Sequence, residues 1–533
     1  MAAREVSGFD VVVAGSGGGG LTGALRAAEH GLKVLVLEKD ARCGGTTALS
    51  GAGLWAPAGK HVRAAGQADS LELVHEYLRH TVGDQTPVDL QHAYVDNAAP
   101  TLEWLESKGV RFNHMTGYPD YHPELPGGLL TGRAVTPKAV RPAFFDGLGV
   151  PVVDKLDRGD GGPPMPLVEG GPVFGGRAMV GMLLAALREA GVEVWTTSPF
   201  RELLVEDGRV VGVVAEREGE PVRIRAERGV LLASGGFDHD DAMRERFSQE
   251  PVRHGRWSLG VGGNTGDGIK AGMALGAATA LMDDCWWAPG VVQPDGRPSF
   301  LLYERAVPAG IIVDQQGRRW VNEGVPYNTF GHLLLEALDR GVPCAPSWFV
   351  LDELALRRYG FAGLRPEEDP TPWVEAGALL RADTVEELAA ATGAPYLVET
   401  VQRWNGFAER GVDEDLQRGA EGSYERQLLW VFQRYPGLPG AHEWPNPSLA
   451  PVAQGPFYAM QVVLADIGTK GGLVCDTRGR VTRPDGSVVP GLYACGNTMA
   501  SAVGHAYPGP GACITPAMTF GRLAADDMAG ALS

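Results

Sequence analysis

The chain is poor in basic charge. Its 47 lysines and arginines stand against 65 aspartates and glutamates, a formal net charge of −18. That balance excludes a nucleic-acid backbone as a partner and disfavours an anionic membrane surface. Nowhere does an apolar run reach the roughly eighteen residues that a membrane-spanning helix needs, and the opening MAAREVSG carries an acid and no apolar stretch of signal-peptide type. Cysteines are few and scattered: Cys43, Cys285, Cys344, Cys475, Cys495 and Cys513 form no CxxC pair and no framework spacing. They read as reduced thiols of a cytoplasmic protein, loosely membrane-associated at most, not as disulfides or metal ligands. With no HExxH or other zinc-type cluster, no metal is expected.

Glycine is in excess. It accounts for 75 of 533 residues, with 38 prolines beside it, where the ordinary glycine share is about 7%. Length and a 44% apolar content suffice for two or more domains with proper cores. The glycines gather in short separate patches, as loops do where backbone approaches a ligand closely.

The first patch carries the clearest chemistry. Residues 9–14, FDVVVA, form a buried strand that runs into GSGGGG and then LTGALRAAEHG, where Leu21, Leu25 and Ala28 keep helical spacing until Gly31. VLVLE follows, a second buried strand ending at Glu38. Gly15, Gly17 and Gly20 fit GxGxxG at this strand–turn–helix, with Ser16 between the first two. The first glycine allows the tight turn, the second lets a pyrophosphate approach, and the third lets helix pack on strand. The helix N-terminus offers amides and a positive dipole end to the phosphates. Glu38, followed by Lys39, stands where a carboxylate accepts from ribose hydroxyls. The pattern predicts a bound dinucleotide.

Next comes ARCGGTTALSGAGLW, residues 41–55, a second glycine and hydroxyl loop. Its position resembles the flavoprotein family of fumarate reductases and ketosteroid dehydrogenases. The resemblance implies FAD, with Gly45, Thr46, Thr47, Ser50 and Gly51 near the diphosphate and the isoalloxazine ring. No histidine lies in that stretch, so a histidyl–flavin link has no candidate and FAD is expected to be non-covalent. Three later patches match the same family in order: GVLLASGGF (229–237), GNTGDGIKAG (263–272), and TKGGLVCDTRGRV leading to VPGLYACGN (489–497), which offers Gly496 and Asn497.

The implied fold is α/β. A Rossmann-like FAD-binding domain, discontinuous in sequence (1–287 and 463–533), surrounds an inserted α+β catalytic domain (288–462) that forms the substrate cap. Within the insert, the acidic loop PEEDPTP and the helices of ADTVEELAAATG and VETVQRWNGFAERG read as scaffold. Thr384 is expected to cap the first of these and Glu387 to answer it.

The substrate side separates members of this family. Where fumarate reductases show a histidine-rich run, this chain has ADIGTKGG (465–472). GHAYPGPGACITP (504–516) instead resembles the 3-ketosteroid Δ1-dehydrogenases, which implies that Tyr507 hydroxyl and Gly511 amide bind the carbon-3 carbonyl. Tyr327, in the NExxPY context of residues 322–327, matches their proton-abstracting tyrosine. YPDYHPELPGG (118–128) resembles the segment giving a supporting tyrosine, Tyr121, with Tyr118 its rival in register. The chemistry is consistent: oxidation beside a ketone needs an oxyanion site, a base and a hydride acceptor. Tyrosine is a poor base at its usual pKa near 10, so it needs tuning or a relay through a second hydroxyl. Trp286 and Trp287 either line an apolar slot or fill a core.

The expected activity is FAD-dependent 1,2-dehydrogenation of a 3-ketosteroid, with a quinone-like or other electron acceptor. A 3-ketosteroid 4-dehydrogenase, a fumarate-type reductase and a non-catalytic flavin electron carrier are the alternatives.

Overall fold

The computed structural model describes residues 4–154, 171–432 and 444–531. Strand Arg4–Ala14 lies at the centre of a sheet, with Val11, Val12 and Val13 fully buried. Parallel neighbours flank it, Val34–Leu37 on one edge and Glu220–Leu232 on the other. That explains a run of β-branched residues with no polar alternation. Beyond Val34–Leu37 lies Glu193–Trp195; beyond Glu220–Leu232 lie Val488–Ala494 and then Arg480–Thr482. A strand from near the C-terminus thus sits parallel to Glu220–Leu232, two places from the first strand.

Helix Gly18–Glu29 packs against the late helix Ile514–Met528. Small residues set their spacing: a Cβ on Gly23 would lie 2.9 Å from the Gly521 carbonyl oxygen. Leu21 and Leu25 are buried as their spacing predicts.

The second sheet is antiparallel. Its order is Pro298–Phe300, Cys285–Val292, Phe457–Thr469, Ser347–Asp352 and Gly310–Val313, with Leu380–Ala382 also paired to Phe457–Thr469. Trp287, Phe330, Phe349 and Met460 fill one core against it, and Trp404 and Leu388 another. Strands Cys285–Val292 and Phe457–Thr469 pair from Cys285 opposite Thr469 to Val291 opposite Val462. The boundaries at 287/288 and 462/463 therefore fall inside two strands that run side by side, because the chain enters and leaves this sheet along one ladder.

Two local readings gain detail. Thr384 Oγ1 accepts from the Glu387 amide at 3.1 Å, while Glu387 reaches back to the Asp383 amide at 3.0 Å, one residue before the cap. Residues 41–55 are not all loop: Gly45–Leu49 is a short helix, entered through Gly44 at φ 115°, and it buries Ala48 and Leu49.

Candidate active site

Every candidate cofactor and catalytic residue named from the sequence lines one cavity of about 520 Å³. Its two ends are built differently.

At the first end, backbone does most of the work. Gly15 has φ 113°, and a Cβ there would sit 2.2 Å from the Ala233 carbonyl oxygen; one on Gly20 would sit 2.2 Å from that of Gly15. Gly17 differs, since the nearest atom to its Cβ position is Thr47 Oγ1 at 3.6 Å. Helix Gly18–Glu29 begins there with no side-chain cap and no acid in its first turn. Its positive end therefore faces the cavity with no acid of its own turn beside it, which fits a diphosphate.

The polar side chains of this end mainly brace the loops. Glu38 Oε2 accepts from the Ser16 amide (3.2 Å) and hydroxyl (2.5 Å), and Oε1 from the Asp40 amide (2.9 Å). Burial pushes the Glu38 carboxyl upward against these donors. The Ser16 hydroxyl also accepts from the Gly44 amide at 2.9 Å, so it ties the turn to the acid. Thr46 Oγ1 accepts from Val261 and Asn264, both at 3.1 Å, and Thr47 Oγ1 from the Gly18 amide at 3.1 Å. Ser50 Oγ donates to the Thr47 carbonyl at 2.7 Å. Lys39 bonds Thr265 and Asp267, each at 2.8 Å. Asn497 Oδ1 accepts from the Trp286 indole at 3.2 Å.

The other end is aromatic. Tyr327 opens helix Tyr327–Asp339, directly after Pro326, whose fixed φ suits a helix start. The Tyr121 hydroxyl donates to the Tyr327 hydroxyl at 3.1 Å. The Tyr507 ring stands edge-on to both, with centroids 5.0 Å from Tyr121 and 5.4 Å from Tyr327. Trp286 packs on Tyr507 at 4.9 Å and Phe300 on Tyr327 at 5.0 Å. Trp286 therefore lines the cavity, whereas Trp287 belongs to the core of the antiparallel sheet. Tyr118 also reaches the cavity, but its hydroxyl partner is Tyr424. Of the two rivals, Tyr121 is the one that meets Tyr327.

The segments carrying these tyrosines are anchored to one another. The Tyr121 amide (3.0 Å) and the Tyr77 hydroxyl (2.7 Å) both donate to the Pro508 carbonyl. Asp120, beside Tyr121, is held by the Trp55 indole at 2.8 Å and by the buried Arg133, which also pairs with Asp69. Gly511 lies at φ 87°, and a Cβ there would fall 1.8 Å from the Gly53 carbonyl oxygen. Among the described residues its amide donates no hydrogen bond. The Tyr507 hydroxyl lies 3.0 Å from Cys513 Sγ.

Burial pushes Tyr121, Tyr327 and Tyr507 well above the usual phenol value. For Tyr327 the hydrogen bond from Tyr121 works in the opposite direction. Burial thus favours the neutral hydroxyls, and the Tyr121 hydrogen bond to Tyr327 acts against it.

Some lining residues escaped the sequence reading. Ala233, Ser234 and Asn264 lie in the glycine patches 229–237 and 263–272, which match the family but name no site residue by themselves. Phe300 and Leu302 come from a short edge strand and its exit, and behind the lining the buried Tyr424 packs on Tyr121 at 5.4 Å. None of these three carried a local signal.

The family model for an FAD binding domain matches residues 10–514. The chain is 40% identical to a 3-oxosteroid 1-dehydrogenase of Mycolicibacterium smegmatis, over 98% of this chain and 97% of that protein. It is 36% identical to a 4-oxocyclohexanecarboxylate 2-dehydrogenase of Sinomonas cyclohexanicum, over 98% and 93%. Among solved structures, the 3-ketosteroid Δ1-dehydrogenase of Sterolibacterium denitrificans, in complex with 1,4-androstadiene-3,17-dione, is 31% identical and superposes with a TM-score of 0.89, over 98% of this chain and all of that one.

Proposed function

We propose, for a chain that belongs to the FAD-binding family of the 3-oxosteroid 1-dehydrogenases, that Tyr327 is the base, Tyr507 and Gly511 the oxyanion site, and Tyr121 the support of the base. The protein is an FAD-dependent oxidoreductase that introduces the 1,2 double bond into a 3-ketosteroid. The observation carrying the assignment of roles is the Tyr121–Tyr327 hydroxyl contact of 3.1 Å, at the wall of the cavity that the glycine cradle also lines.

The chemistry follows from charge. The carbon-3 carbonyl oxygen accepts from the Tyr507 hydroxyl and the Gly511 amide, donors that matter most as enolate charge grows. That withdrawal acidifies the proton on carbon 2, which passes to Tyr327 Oη. Tyr121 donates to the same oxygen and favours its ionised form before transfer. When bound, FAD supplies the two-electron acceptor for the hydrogen leaving carbon 1. The cradle at Gly17 and the N-terminal end of helix Gly18–Glu29 would hold its diphosphate, and Glu38 its ribose. The bond is non-covalent, for want of a histidine in residues 41–55.

Rival substrates lack their recognition groups. Among the described residues no histidine lines the cavity, and its two cationic side chains, Lys39 and Arg42, belong to the cradle end. A dicarboxylate or a 4-oxocyclohexanecarboxylate would find no cationic side chain of the cavity at the tyrosine end to pair with its charge. The electron acceptor we assign is quinone-like. We place the chain in the cytoplasm, loosely membrane-associated at most; no helix among the described residues is long and apolar enough to cross a membrane.

The test is anaerobic addition of a 3-ketosteroid to the yellow holoenzyme. Bleaching with formation of the 1-ene supports the reading. Bleaching only by a cyclohexanone carboxylate, or a 4-ene product, overturns it.

A further inference from the structure

Outside the cavity, four ionisable side chains from four separate segments converge. Asp284, buried just ahead of strand Cys285–Val292, accepts on Oδ1 from its neighbour's amide (2.8 Å) and from His332 Nε2 (3.0 Å). On Oδ2 it accepts from His505 Nδ1 at 2.9 Å, with Lys470 Nζ at 3.3 Å. Burial opposes the charge, but Lys470 and the two histidines overcome it and hold the carboxyl far below its usual range. The imidazoles therefore donate and the carboxylate accepts.

What these donors are attached to gives the cluster its meaning. His332 lies five residues beyond Tyr327 on the same helix, and His505 two residues before Tyr507. Lys470, with no exposed side chain, also donates to the His505 and Ala506 carbonyls and lies 4.8 Å from the Trp286 ring that packs on Tyr507. Asn328, next to Tyr327, donates to the His505 carbonyl at 3.2 Å. The two segments bearing the proposed base and oxyanion hydroxyl are thus fastened directly by Asn328 and, through both histidines, by one carboxylate.

We infer that Asp284 is a positioning residue of the dehydrogenation: it clamps the Tyr327 helix to the Tyr507 segment and so sets the spacing of the two hydroxyls. This rests on the roles proposed above for those tyrosines. The two must address adjoining atoms of one ring, carbon 2 and the carbon-3 oxygen, where a displacement of about 1 Å costs about 10²-fold in rate. Asp284, His332 and His505 also bring ligand atoms within 4.8 Å of one another, as a metal site would. The Lys470 ammonium beside Oδ2 repels a cation there and makes the cluster a closed ion pair with two imidazole donors.

The test uses the holoenzyme in stopped flow. Wild-type reduction by a 3-ketosteroid checks the underlying reading on its own, and failure there removes both. Asp284→Asn keeps the volume but presents an amide to donors, so its limiting rate of flavin reduction should fall about 10²-fold, while steroid Kd and FAD content stay near wild type. His332→Gln, which still donates to Asp284, should keep most of the rate that His332→Leu loses. A wild-type rate in Asp284→Asn, or a loss confined to Kd, overturns the clamp. So does a wild-type rate that EDTA abolishes and Zn²⁺ restores. Should Asp284→Asn fail to hold FAD, the His332 pair decides, and equal rates for Gln and Leu overturn the inference.

Discussion

The two ends of the cavity are made of different materials. At the cradle end the ligand-facing groups are amides and missing side chains, drawn mainly from residues 15–51, while Ser16, Thr46 and Thr47 are occupied in holding the loops. At the tyrosine end the groups we propose for the chemistry are side chains from positions 121, 327 and 507, brought together by packing of remote segments. A backbone site depends on conformation, so it fails when a Cβ is added. A side-chain site loses its function when one oxygen is removed, with little change in shape. Substitutions at the two ends should therefore separate cofactor retention from chemistry.

The largest effect should come from Tyr327→Phe, which removes the proton acceptor and keeps the ring. Anaerobic flavin reduction should slow by about 10²–10⁴-fold, or about 3–5 kcal/mol of barrier, with FAD content and steroid affinity near wild type. Tyr327 must be ionised to act, and burial raises it above the usual phenol value. The wild-type rate should accordingly keep rising with pH on the alkaline side, and that rise should vanish in the variant. Reduction at the wild-type rate would move the base elsewhere.

Tyr507→Phe should slow reduction by about 10²–10³-fold. Its hydroxyl counts mainly as charge develops, so half-saturation should change little. A raised half-saturation with normal turnover would make it a plain binding residue.

Glu38→Ala crosses to the other end. FAD should bind more weakly by about 1.5–3 kcal/mol, the worth of hydrogen bonds to a charged acceptor, measured by flavin release on dilution. The rate per bound FAD should be unchanged; a slower intrinsic rate would show that the two ends are coupled. The smallest effect belongs to neither end: Thr384→Ala should cost about 1 kcal/mol of stability through its lost helix cap, read from the denaturation midpoint, with no change in FAD content or reduction rate.

Legibility follows the same division. Gly15, Gly17, Gly20 and Glu38 could be read directly because a strand, a turn and a helix contiguous in sequence make the cradle. The short helix Gly45–Leu49 is not legible because five residues with two β-branched threonines, entered from glycines, carry no helical periodicity; it buries Ala48 and Leu49. Tyr327, Tyr507 and Gly511 are proposed through resemblance, since no periodicity marks a tyrosine as a base. Whether Tyr118 or Tyr121 meets Tyr327 could not be read from flanking residues; it depends on how Asp120, Arg133 and Pro508 fix that segment.

By itself the sequence determined what local chemistry can determine: a dinucleotide turn, an acid at the next strand end, and a helix cap at Thr384. Tertiary structure alone decided the rest. It placed the late strand Val488–Ala494 beside Glu220–Leu232 and ran the chain into and out of the antiparallel sheet along one ladder. It also brought three tyrosines within 5.4 Å of one another and gathered Asp284, His332, Lys470 and His505. Turns and caps are settled by neighbours a few residues away. Contacts between positions hundreds of residues apart form only when whole surfaces pack, and no short stretch of sequence carries that information.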